Sequence, residues 1–192
     1  MKKYTLLAFS LLAFAVSGLS ARAQMADFVI KKVDVDFVPT PEYQVNPNPI
    51  RNMGPQKKWA KIDVTFEAIP DYTEEVVINY YALLFDHLLV GRVNHVNVSR
   101  GRDLHSVMFI SPQALEKITR GNKGLNKTSF TNIAVTVGTA PNLSVANFKP
   151  GARGEWWTTM KAEDGFLLNK SETPFAPLGW DFYEASKPAA AR

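Results

Sequence analysis

The sequence predicts a mainly β protein, an antiparallel sandwich carrying one short helix. Three observations point there. Apolar and polar residues alternate strictly along several segments, as in half-buried strands. Turn residues punctuate these segments. One stretch, 111–120, carries both a helix start and a helix stop signal.

The chain opens with a segment outside that pattern. Lys2 and Lys3 precede an apolar run from Leu6 to Val16, and Ala21-Arg22-Ala23 fits the small-x-small pattern of signal-peptidase cleavage. Residues 1–23 therefore read as a secretory signal peptide, with the mature chain starting at Gln24. The apolar stretch from Leu6 to Leu19 is about 14 residues, short of the roughly 20 that a spanning helix needs. The chain has no Cys, which excludes a lipid on a cleavage-site cysteine and any disulfide. A prepilin signal would be cut before its apolar run, and here the cleavage pattern follows it. Removing Lys2, Lys3 and Arg22 lowers the formal charge from +4 to +1. A nearly neutral chain lacks the electrostatic footprint of a nucleic-acid binder. After Gln24 no apolar run is long enough to cross a bilayer.

The domain proper is expected over 24–183. Phe28 to Val38 alternates, with Val33, Val35 and Phe37 on one face and Lys32, Asp34 and Asp36 on the other. Pro39 to Gln56 holds five prolines and reads as a long connection. Trp59 to Ile69 is the clearest strand, with Ala60, Ile62, Val64, Phe66 and Ala68 facing one way. Pro70-Asp71 predicts a turn. Val76 to Phe85 is apolar on both faces, as in a strand covered on two sides. Leu88–Val98 and Leu104–Ile110 follow as strands, separated by a predicted turn at Ser99-Arg100-Gly101-Arg102. Ser111 caps the helix, Pro112 suits its first position and Gly121 ends it. Phe130 to Val137 is another strand, and a short one is expected within Leu143–Phe148. Glu155–Lys161 and Phe166–Leu168 read as a closing hairpin around Glu163-Asp164-Gly165. Residues 184–192 read as a mobile polar tail. The arrangement is immunoglobulin-like in architecture, without the Cys–Trp–Cys mark of antibody domains.

Few residues suggest chemistry. His87, His95 and His105 show no metal-ligand spacing, although His95 and His105 could meet across neighbouring strands. Asp103, His105 and Ser106 have the residue types of a hydrolytic triad, but on a strand His105 and Ser106 point to opposite faces. Paired acids such as Glu74-Glu75 and Glu163-Asp164 fall in turns. No catalytic residue, metal ligand or cofactor site is assigned. The binding candidates are the aromatics Trp156, Trp157, Trp180 and Tyr183, which can stack on sugars or anchor a partner. Arg100 and Arg102, on the expected turn, can grip a carboxylate or phosphate.

Trp59-Ala60-Lys61-Ile62-Asp63-Val64-Thr65-Phe66, Ser106-Val107-Met108-Phe109-Ile110-Ser111-Pro112 and Gly154-Glu155-Trp156-Trp157, with the signal peptide, resemble a family. It is that of small secreted Ig-like proteins encoded beside type IV pilus genes in mucin-dwelling Verrucomicrobia. The resemblance implies an Ig-like fold and a role in or near a pilus-like surface assembly. It supplies no site residues. The sequence thus predicts a non-enzymatic exported protein of the periplasm, outer membrane or cell surface. Its expected partners are further copies of itself or other envelope proteins. A glycan-binding module is the alternative.

Overall fold

The computed structural model describes residues 26–43, 56–121, 124–138, 143–149, 154–179 and 181–188. The proposed signal peptide and Trp180 lie outside them. Seven strands form one connected sheet: β1 (Phe28–Pro39), β2 (Lys58–Leu84), β3 (His87–Ile110), β4 (Phe130–Val137), β5 (Ser144–Asn147), β6 (Ala162–Glu163) and β7 (Leu167–Asn169). The helix α1 spans Pro112–Ile118.

Two long strands organise everything else. β2 and β3 pair antiparallel along their whole lengths, so four expected strands are two continuous ones. The turn expected at Pro70-Asp71 is an irregular bend within β2, where the register shifts between Ala68 and Tyr72. The turn expected at 99–102 is the matching bend of β3, with Ala68 opposite Gly101 and Tyr72 opposite Ser99. Pro and Gly weaken regular pairing in both places, and the paired strands bend instead of reversing. The actual reversal is the turn at Phe85 and Asp86, between the paired Leu84 and His87. Phe85 takes a positive φ of 53° there, a conformation that a bulky residue rarely adopts.

The bend folds the β2–β3 hairpin over on itself and makes the sandwich. One layer holds β1, residues 58–68 of β2, residues 101–110 of β3, and β7. The other holds β5, β4, residues 72–84 of β2, residues 87–99 of β3, and β6. The inward side chains of both layers make the main core, including Ile62, Phe66, Ile78, Tyr80, Ile133 and Val135. β2 keeps its phase through the bend: Ala60 to Ala68 and Val76 to Leu84 bury alternate residues on the same face. β3 does not. Val93 and His95 are buried before Asn97, Val98 and Ser106 after it, and Asn97 itself sits at φ 55°. That one residue shifts the alternation and turns Ser106 inward. Gly91 lets the layers touch, since a Cβ there would lie 2.7 Å from both Leu167 Cβ and Met108 Cε.

α1 follows its sequence signals. Ser111 Oγ accepts from Ala114 N at 3.2 Å, and Gly121, at φ 81°, donates to Glu116 O. Leu115 and Ile118 seat the helix on the core.

The expected closing hairpin does not form. Trp156–Thr159 is a short 3-10 helix, β6 pairs parallel to Leu88 and Leu89, and β7 pairs antiparallel to Met108–Ile110. β3 offers each segment a partner in a different layer, and this outcompetes pairing across Gly165. The first residues of the segment expected as a mobile tail, 184–187, bond to β3, and 189–192 lie outside the described residues. Glu184 N donates to His105 O, Ala185 O accepts from Val96 N, and Lys187 N donates to Asn94 O.

Candidate functional site

Polar side chains converge at the seam between the two layers, beside the β3 bend. Tyr80 projects from β2 in one layer and Ser106 from β3 in the other. Tyr80 Oη donates to Ser106 Oγ at 2.7 Å, and Ser106 Oγ donates to His95 Nε2 at 2.6 Å. His95 Nδ1–H then points at the Glu184 and Ala185 carbonyls, 3.1 and 3.3 Å away. Carbonyls only accept, so the proton sits on Nδ1 and Nε2 is the acceptor. The chain of donors runs unbroken from Tyr80 to the C-terminal backbone. Ser106 is 0 % exposed and His95 2 %. Burial pushes the His95 pKa down, and the two carbonyl contacts oppose it only in part. Burial also pushes the Tyr80 phenol far up, with the Ser106 hydrogen bond opposing.

A serine beside a histidine has the parts of a nucleophile and its base. Here neither reaches solvent, and the histidine's other nitrogen is held by backbone. The arrangement pins the layers and the C-terminal segment together. His95 and His105 do not meet: they lie on one strand and face opposite sides.

A second cluster lies on the outer side of the layer that contains β1. Asp63 accepts from Tyr183 Oη at 2.9 Å and sits 3.3 Å from Lys61 Nζ and 3.4 Å from His105 Nδ1. Phe182 stacks on the His105 ring at 3.9 Å while remaining 51 % exposed. Burial and then the Asp63 carboxylate push the Tyr183 phenol up. Residues 182–187 thus form a strap that touches both histidines of the β3 bend.

The sequence-level candidates are dispersed. Trp157 is buried at 7 % exposure and stacks on Tyr81 at 5.0 Å, covering the outer face of the layer that contains β4. Trp156 is half-buried and donates from Nε1 to Asn147 Oδ1. Tyr183 belongs to the opposite outer face, with Trp59, Phe109 and Phe175. These rings cover two separate faces. Arg100 lies on the β3 bend, where Nε donates to Ile69 O and Nη2 meets Asp71 at 3.2 Å. Arg102 is exposed near Glu67. Among the described residues no three His, Cys, Asp or Glu side chains are grouped to hold a metal ion. His87 pairs with Glu163 instead, at 2.8 Å.

A protein-family model matches residues 19–190. The chain belongs to the family that this model describes. A crystal structure of a protein from Akkermansia muciniphila is similar in fold, with a TM-score of 0.69 over 85 % of this chain and 93 % of that one. The two are 20 % identical, so the likeness is one of fold. That species is a verrucomicrobium, the group that the sequence resemblance points to. No curated protein matches the chain.

Proposed function

We propose that this family member is a non-enzymatic exported envelope protein that acts by protein–protein contact, as a component or accessory of a pilus-like surface assembly. The observation that carries the proposal is where the polar chemistry sits. Among the described residues the serine–histidine pair is sealed between the layers, Trp156, Trp157 and Met160 cover one outer sheet face, and Phe175 and Tyr183 cover the other. Sheet edges are what such a fold offers for contact. Among the described residues β1 pairs as a strand with β2 alone; on its other margin Ile30 N donates to Ser144 Oγ, and the rest of that margin offers a place for pairing. Crosslinking in intact cells, followed by identification of what is attached, is expected to recover copies of the chain or other envelope proteins. A strictly monomeric purified protein with no crosslinked partner sinks the proposal.

The glycan-binding alternative has less support. It needs a row of exposed rings, while Trp157 is spent on Tyr81 and Tyr183 on Asp63. A glycan array is expected to stay silent. A signal abolished by Trp156→Ala moves the assignment to a glycan module.

A further inference from the structure

The 94–105 stretch of β3 has a backbone edge between the residues paired with β6 and those paired with β7. The strap meets it with three backbone hydrogen bonds: Lys187 N to Asn94 O at 2.8 Å, Val96 N to Ala185 O at 2.9 Å, and Glu184 N to His105 O at 3.1 Å. His95 and Ser186 stand opposite each other as an antiparallel pair. Below this pairing, His95 Nδ1–H reads two strap carbonyls, and Tyr183 and Lys187 complete the register on Asp63 and Glu75.

We propose that this edge is an exchange site between copies of the chain, in which residues 182–187 of one copy occupy the β3 edge of another. This deepens the assembly proposed above and rests on it.

Three observations carry the inference. The strap follows Gly179, which sits at φ 63°, a natural place to redirect the chain. Its residues from Ala185 to Pro188 are exposed, so release uncovers little apolar surface of the strap itself. The vacated edge, in contrast, presents the buried His95 donor together with Asn94 O and Val96 N, and these require an extended segment in the same phase. A second copy supplies that segment with the matching tyrosine and lysine. The contacts that residues 184–187 make with β3 within one chain are then recovered between two, which is the condition under which segment exchange costs little. Other extended peptides lack the paired Tyr183 and Lys187 contacts.

The absence of native cysteine makes the test direct. Asn94→Cys and Lys187→Cys are placed in separate full-length chains, because these positions face each other across the edge. The two variants are mixed at assembly concentration, equilibrated and oxidised. A disulfide-linked dimer holding one of each chain is expected to dominate over dimers of either variant alone. The charge-reversed pair Glu75→Lys and Lys187→Glu serves as a second measurement: each alone weakens association, and mixing restores it. Self-association without a mixed dimer, with the double-cysteine chain giving only an internal disulfide, overturns the exchange and leaves the assembly intact. A strict monomer with no mixed dimer overturns both.

Discussion

His95 and His105 sit ten residues apart on β3 and touch the same strap, yet they live in different solvents. His95 is locked between Ser106 and two carbonyls, with no carboxylate partner. His105 lies on the outside, beside Asp63 and under the half-exposed Phe182 ring. The difference shows what holds the strap. Inside, it is held by unbroken donor–acceptor pairing, where one missing partner strands the next. Outside, it is held by a stack and a set of partly wet polar contacts, where neighbours substitute for one another.

The largest expected effect separates the two directly. His95→Ala leaves a cavity, removes the acceptor of Ser106 and takes the imidazole donor from the Glu184 carbonyl, while Ala185 O still accepts from Val96 N. It is expected to destabilise the protein by about 3 kcal/mol. His105→Ala is expected to cost about 1 kcal/mol or less, since its partners stay near water. Urea unfolding of both variants measures the gap. Equal losses break the comparison.

How much of this was legible in the sequence depends on what each feature is made of. β1, β4 and α1 were readable because their signals are local: alternation in 28–38 and 130–137, and the Ser111, Pro112 and Gly121 punctuation. The bends were misread because Pro70 and Gly101 carry turn chemistry, while long-range pairing decided that the strands continue. The true reversal at Phe85-Asp86 carries no Gly or Asn to announce it. The Tyr80–Ser106–His95 chain escapes a sequence reading because it depends on the phase shift at Asn97 and on the fold of the hairpin, and an Asn, a Pro or a Gly inside a strand does not say which residues the bend will bring together. The part of the strap from Glu184 onward reads as tail in the sequence for a related reason. Residues 184–187 are polar or small, and β3 holds them largely through backbone atoms, which composition does not record.

Acid sharpens the same comparison. The folded pKa of His95 lies below its ordinary 6.5, so the unfolded chain takes up a proton that the folded chain refuses. The stability tied to neutral His95 is complete above that value and drains as pH falls toward the folded pKa. The slope approaches about 1.4 kcal/mol per pH unit at most. Protonation would also turn His95 Nε2 into a donor, leaving one of the two buried hydroxyl protons of Ser106 and Tyr80 without an acceptor. Glu184 acts in the opposite sense at lower pH, because burial raises its carboxyl. Unfolding measured between pH 7.5 and 5.5 should therefore show a falling midpoint. His95→Gln, which keeps a donor and an acceptor but does not titrate, should flatten it. A variant that loses stability with acid as steeply as the parent places the titration elsewhere.

The smallest effects lie on the outer cluster, and redundancy is the reason. Tyr183→Phe removes one of the contacts to Asp63, while Lys61 and His105 stay in place. About 1 kcal/mol is expected from the lost hydrogen bond. Phe182→Ala removes the ring stacked on His105. A double-mutant cycle with His105→Ala should give a coupling of about 0.5 kcal/mol, the low end for a ring pair with one exposed face. A coupling near zero means that the stack merely rests on the surface, leaving the buried seam and the backbone edge to hold the strap. A coupling several times larger means that the outer contact is as demanding as the inner one, and the two histidines share one role after all.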